Sequence, residues 1–130
     1  MQLFFILDLD SLEPSFKMSL TLFEKIINKE IPAEIIYEDD ISIVIEDINP
    51  QAPTHLLIIP KKVIPKLSDA STEDQDILGH LMLVAGKIAK QLELDETFRL
   101  VINNGAKAGQ SVFHLHLHLL SGRSLNWPPG

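Results

Sequence analysis

From Phe113 to Leu120 the chain reads FHLHLHLL, an alternation of imidazole and hydrocarbon that extended backbone sorts into two faces. Successive side chains of a strand point to opposite sides, so His114, His116 and His118 share one face while Phe113, Leu115, Leu117 and Leu119 fill the other. On a helix the same residues would scatter around the axis. The segment predicts a strand buried on its leucine side, with an unusual polar face, since solvent-facing strand positions ordinarily carry Thr, Lys or Glu. Three unrelated surface histidines would be the plainest explanation, and it accounts poorly for the regularity.

The rest of the chain supplies a sheet for such a strand. TLFEKIINKEIP opens on Thr21 with Glu24 three residues later, a capping-box pattern, and has Phe23, Ile26 and Ile27 at helical spacing, so a short helix ending near Pro32 is expected. EIIYEDDISIVIEDI reads as two strands, Ile35 to Glu38 and Ile41 to Glu46, turned by Asp39 and Asp40. After the loop NPQAP, THLLIIP (Thr54 to Pro60) is a third strand, stopped by proline. A long helix is predicted between Ser71 and Leu94, capped by Ser71 or Thr72, with Glu73, Asp74 and Asp76 at its positive end and Lys87 and Lys90 near the other. Ile77, Leu78, Leu81, Met82, Val84, Ala85, Ile88, Ala89 and Leu92 form its expected apolar side. FRLVIN (Phe98 to Asn103) and the histidine segment are the last two strands. The expected class is α+β: a five-stranded, mainly antiparallel sheet covered by the long helix, with one further short helix.

Size and charge narrow what such a fold can do. One hundred and thirty residues suit one domain, so residues 18–130 are expected to form it, with residues 1–17 a non-core extension. The start of that extension, MQLFFILDLD, lacks a basic residue before its apolar run and is interrupted by Asp8 and Asp10, a poor export signal. No stretch approaches the roughly 20 apolar residues of a membrane span. With 18 acidic against 11 basic residues the net charge is −7, the wrong sign for gripping a nucleic-acid backbone, so no nucleic-acid or membrane partner is expected. Absence of cysteine rules out thiolate zinc sites and suits a reduced, cytoplasmic setting.

Two chemistries compete for the three imidazoles. Residues i and i+2 of a strand can converge on one zinc ion, but the outer α-carbons stand about 13 Å apart, so a site would need His55 or Asp47 as well. Alternatively, a neutral imidazole offers an unprotonated nitrogen at neutral pH and can attack phosphorus, splitting one hard displacement into two easier ones. The preceding loop NNGAKAGQS supplies Gly105, Gly109, Gln110 and Ser111, whose backbone N–H groups could face an anion, although it has no Walker spacing and two glycines in a hairpin loop are ordinary.

The run His114, Leu115, His116, Leu117, His118, Leu119, Leu120 resembles the motif of the histidine triad family without departure. FEKIINKEIPAEIIYEDD, DINPQAPTHLLIIPKK, ILGHLML, AGQSVFHLHLHLL and the terminal WPPG are similar to its Hint branch, the histidine triad nucleotide-binding proteins. The resemblance spans about Thr21 to Gly130. It implies a homodimer with a continuous ten-stranded sheet and a hydrolase of purine nucleoside 5′-phosphoramidates such as AMP linked to an amine. It implies His116 as nucleophile, its tautomer set by the carbonyl of His114, with His118 and Ser111 at the phosphate and leaving group and His55 completing the network. It also implies Asp47 at the ribose hydroxyls, Ile48, Phe23, Ile26, Ile31 and Ile45 around the base, Asn103 near the phosphate, and Gly109, Gln110 and Val112 as further nucleotide-binding residues. Trp127 belongs, by the same resemblance, to a terminus lying across the dimer. No metal or cofactor is implied. A binding module with vestigial catalysis, or cleavage of dinucleoside polyphosphates, remains open. The extension before Met18 and Asn126 before the tryptophan depart from the pattern and leave the leaving-group preference undetermined.

Overall fold

The computed structural model describes residues 20–130, so the expected extension over residues 1–17 lies outside the described part. The first helix, α1 (Leu22–Ile27), begins where its cap predicts: the Thr21 hydroxyl accepts from the Glu24 N–H while the Glu24 carboxylate accepts from the Thr21 N–H. Strands β1 (Ile35–Glu38), β2 (Ser42–Glu46) and β3 (Thr54–Pro60) follow. The turn between β1 and β2 is built on Asp39, whose Oδ1 accepts from the N–H groups of Ile41 and Ser42 and from the Ser42 hydroxyl. The long helix α2 (Gln75–Gln91) is shorter than the expected span from Ser71 to Leu94, because residues Thr72–Asp74 form a tighter turn of 3₁₀ type, capped by Ser71, before it and the helix is capped at Leu92. Strands β4 (Arg99–Val101) and β5 (Leu117–Ser121) complete the fold.

All pairings are antiparallel and the strand order is β1-β2-β3-β5-β4. The α+β expectation holds. The register assigns faces: Leu56 opposes Leu119, which opposes Leu100, and all three lie on the α2 side, whereas Leu57 opposes His118, which opposes Val101, on the other side. Leu81, Val84, Ala85 and Ile88 of α2 bury against Val44, Leu56, Ile58, Leu115, Leu117 and Leu119. Each such Leu or Ile contributes roughly 1.5–3 kcal/mol on leaving water. A second cluster on the far side gathers Phe23 and Ile26 of α1 with Ile43, Ile45, Leu57 and Ile59.

Three expectations need correction. The histidine segment is a strand only from Leu117, and Phe113 is 40% exposed rather than core. The β3 ladder stops because Pro60 has no N–H to give, its carbonyl accepts from the His114 ring, and the Leu115 N–H turns instead to the carbonyl of Ile64 at 2.7 Å. Met82 (49% exposed) and Leu92 (41%) lie outside the buried stripe of α2, since the sheet covers only the arc centred on Leu81, Val84 and Ile88. The strand expected over Phe98–Asn103 pairs only through Arg99–Val101. Among the described residues no helix is long and apolar enough to cross a membrane.

Candidate active site

Opposite α2, the histidines meet the cleft between α1 and the ends of β2 and β3. His116 is almost fully buried. Its Nδ1 lies 2.7 Å from the backbone carbonyl of His114, and a carbonyl can only accept, so Nδ1 carries the proton and Nε2 keeps its lone pair. The ring of Phe23 packs edge-on against it, centroids 5.0 Å apart. Burial pushes the His116 pKa below its ordinary value, against the opposing pull of the His114 carbonyl and the Asp47 charge, so the ring is neutral at pH 7. His116 and His118 line a cavity of about 240 Å³ with Leu22, Phe23, Ile26, Ile45, Glu46, Asp47, Ile48, Leu57, Ser111 and Val112.

His114 does not reach that cavity. Its ring is wholly buried behind it, Nε2 donating to the Pro60 carbonyl at 2.7 Å and Nδ1 lying 3.5 Å from the Thr21 hydroxyl. Burial lowers its pKa too. The two ends of the alternation therefore serve differently: the His114 side chain ties the segment to β3, while its backbone sets the tautomer of His116.

His118 is oriented by His55. The Gln51 N–H donates to His55 Nδ1 at 3.0 Å, so the neutral ring bears its proton on Nε2, which lies 2.9 Å from His118 Nδ1. His118 Nδ1 then accepts, and its own proton sits on Nε2. Burial, followed by the neighbouring His116 and His55 rings, holds the His118 pKa at about 4. His55 is lowered by burial as well, with Asp47 opposing. Asp47 Oδ2 is 3.4 Å from the same His55 Nε2, and its Oδ1 accepts from the Asn49 N–H.

Asp47, His55 and His118 bring three potential metal-ligand atoms within 4.8 Å of one another. The donor set does not fit a metal ion. For His55 Nε2 to offer a lone pair, Nδ1 would have to carry the proton, and that proton would collide with the Gln51 N–H pointing at it.

A wider cavity of about 470 Å³ continues from the first, sharing Leu22, Ile26, Ile45, Glu46, Asp47 and Ile48 with it, and is completed by Ile31, Pro32, Ala33, Glu34, Pro50, Pro53 and His55. Ile48 is 97% exposed at its lip. The expected residues Phe23, Ile26, Ile31, Ile45, Asp47, Ile48, His55, Ser111, Val112, His116 and His118 are thus brought together. Others are not among the lining residues. Gln110 is buried as a staple of its loop, its amide donating to the carbonyls of Pro65 and Val112 and accepting from the Gly105 N–H. Gly109 takes a left-handed φ of 105°, and Asn103 Nδ2 stands 3.4 Å from where a β-carbon there would sit. Trp127 is 80% exposed beside Arg99 of β4, 5.9 Å from the guanidinium to the ring. The sequence reading missed Leu22, Leu57, Pro50, Pro53 and the positioning groups of Gln51, Pro60 and Thr21. Thr21 alone carried a signal, its cap. A backbone donor or acceptor leaves no mark in the residue types.

The chain is similar to known proteins over most of its length. The HIT domain family model matches residues 28–125. An uncharacterised HIT-like protein of Synechocystis sp. is 59% identical over 110 residues, covering 85% of this chain and 96% of its own. A 14 kDa zinc-binding protein of Zea mays is 52% identical over 114 residues, 86% and 89% of the two chains. The crystal structure of a HIT family hydrolase from Legionella pneumophila superposes with a TM-score of 0.82 at 48% identity, over 84% of this chain and 98% of that one.

Proposed function

The chain belongs to the HIT domain family, and on that premise we propose that it is a purine nucleoside 5′-phosphoramidate hydrolase working through a nucleotidyl–His116 intermediate. The observation that carries this reading is the bond from His116 Nδ1–H to the His114 carbonyl, which leaves the Nε2 lone pair available at a cavity that runs on into an apolar cleft bordered by Asp47. A nucleoside suits that cleft: Phe23, Ile26, Ile31, Ile45 and Ile48 enclose a purine, and the Asp47 carboxylate accepts from vicinal ribose hydroxyls.

In the first step the phosphoramidate nitrogen takes a proton from solvent, Nε2 of His116 attacks phosphorus, the P–Nε2 bond forms and the P–N bond breaks to release the neutral amine, while His118 Nε2–H donates to the phosphate. The imidazolium so formed keeps Nδ1–H on the His114 carbonyl. In the second step water attacks phosphorus, its proton returns to solvent, and the P–Nε2 bond breaks to release the nucleoside monophosphate and neutral His116. Ser111, at the cavity wall, donates to the phosphate, with Asn103 and the loop through Gly109 and Gln110 behind it. The maize relative is named for zinc, but the tautomer of His55 speaks against zinc at this site, and no step uses a metal.

A homodimer belongs to the same proposal. β4 is paired on one side only, by β5, and its residues are half-buried, so a second copy can continue the sheet to ten strands and bring Trp127 across. A cytoplasmic setting, where nucleotides abound, completes it.

The test is hydrolysis of an AMP-amine substrate in the presence of a chelator. The wild type is expected to remain active, and His116→Ala to lose on the order of 10³-fold or more in kcat. Mass spectrometry of protein quenched and kept at alkaline pH, where a phosphorus–nitrogen bond to histidine survives, should find one AMP on His116. Loss of wild-type activity on chelation, or survival of it in His116→Ala, overturns the mechanism. Diadenosine polyphosphate turned over with the higher kcat/KM would reassign the substrate class, and AMP binding without turnover of either would leave a binding module.

A further inference from the structure

Resting on the nucleotide reading above, we infer that Asp47 is a positioning residue that couples recognition of the ribose to the proton shared by His55 and His118. The geometry behind this is a single N–H with two acceptors. The Gln51 backbone commits His55 to a proton on Nε2, and that proton faces His118 Nδ1 at 2.9 Å and Asp47 Oδ2 at 3.4 Å. Every polar group set against the His55 ring takes part: the Gln51 N–H, the Asp47 carboxylate after β2, and His118 on β5, which in turn faces His116 across 5.0 Å.

Asp47 and Glu46 line both cavities, and of the two Asp47 lies against His55, one of its oxygens accepting from the Asn49 N–H. Its remaining oxygen, Oδ2, is therefore both the acceptor for a ribose hydroxyl and the competitor for His55. When a cis-diol donates to Oδ2, that oxygen becomes a weaker acceptor for His55. The His55 N–H then passes wholly to His118 Nδ1, and the proton on His118 Nε2 is held facing the phosphate. No bond is made or broken in this step; one shared hydrogen bond becomes unshared. The sugar is thereby read in turnover as well as in binding, and a ligand lacking the hydroxyls binds without setting the His118 proton.

The test uses full-length protein with ¹⁵N-labelled histidine, wild type and Asp47→Asn, titrated to saturation with AMP and with 2′,3′-dideoxy-AMP. Asparagine keeps the Oδ1 acceptor for Asn49 and removes the charge. Both nucleotides bring a phosphate to His118 Nε2, so the readout is the difference between them: AMP is expected to move the ring-nitrogen signals of His55 and of His118 Nδ1 further than dideoxy-AMP does, and Asp47→Asn to abolish the difference. Identical ring signals with both saturating nucleotides, or a ribose response that survives in Asp47→Asn, overturns the coupling.

Kinetics give the second readout. With phosphoramidates of the same amine, loss of the two hydroxyls should lower wild-type kcat about tenfold, and Asp47→Asn kcat by less than about twofold, as expected when one group mediates the effect. A change confined to KM in the wild type reduces Asp47 to a sugar ligand and rejects the inference. Failure of the coupling and failure of the phosphoramidase reading separate cleanly. AMP-specific ring signals without phosphoramidate turnover reject the latter and uphold the former, whereas turnover with sugar-blind ring signals does the reverse.

Discussion

On the α2 side of the sheet, Leu56, Ile58, Leu115, Leu117 and Leu119 are buried as hydrocarbon against Leu81, Val84 and Ile88; on the opposite side His55, His114 and His116 are buried almost as completely. Both faces draw on the one segment from His114 to Leu119, residue by alternate residue. The difference lies in what burial demands. Hydrocarbon needs only company, since the force on it is non-directional. A buried imidazole needs a neutral state and a partner for its polar nitrogen, so every ring on that face has at least one nitrogen fixed by a hydrogen bond, which decides where its proton sits. The α2 face holds the segment in place, and the opposite face sets where each proton resides.

The largest test of this contrast is Leu117→Ala, which removes a buried side chain from the α2 face. It should cost about 2–5 kcal/mol in urea unfolding while the kcat of the folded fraction stays at the wild-type value. A fall in kcat with stability retained would show that the faces are not separable.

Between pH 6.5 and 4, above the carboxylate range, acid should act on the opposite face. Folded His55, His114, His116 and His118 all have pKa values below 6.5, that of His118 at about 4, mainly through burial. The unfolded chain therefore binds more protons between pH 6.5 and 4. Stability is fully present above pH 6.5 and is progressively lost as pH falls through that window. Urea midpoints should decline over that range in the wild type and decline less steeply once His118 is replaced by Asn; equal slopes would remove His118 from the account.

His114 sharpens the division within the histidine face. His114→Ala strands the Pro60 carbonyl and should cost about 1–3 kcal/mol in stability. The chain carbonyl that fixes His116 survives the substitution, so kcat should hold; a collapse of kcat in protein that remains folded would give the His114 ring a direct part in the chemistry. The smallest effect is expected from Thr21→Ala, which loses the cap of α1 and the hydroxyl beside His114 Nδ1. About 1 kcal/mol of stability should go, with phosphoramidate KM rising slightly because α1 carries Phe23 and Ile26; calorimetry and initial rates measure the two.

Much of this was legible in the residues. Apolar, β-branched runs bounded by the Asp39–Asp40 turn and by Pro60 located β2 and β3 to within a residue, and the Thr21–Glu24 pair marked the start of α1. Three alternating imidazoles stood out in the residue types, whereas Asp47, ordinary turn chemistry at a strand end, entered as a ribose ligand only through the family resemblance. The start of β5 did not, because it depends on Pro60 and Ile64, more than 50 residues earlier. Gln110 looked like a phosphate-loop residue and is a staple of its loop, since an amide has no preference between an anion and a carbonyl until the chain brings one to it.

By itself, then, the sequence determined which side chains share a face in FHLHLHLL, because alternation is a property of extended backbone wherever it lies. It could not determine which nitrogen of each ring is bare. That was decided by the tertiary structure: the Pro60 carbonyl for His114, the His114 carbonyl for His116, and the Gln51 N–H acting through His55 for His118. An imidazole proton goes to whichever nitrogen meets an acceptor, and those partners are set by where distant backbone groups come to rest.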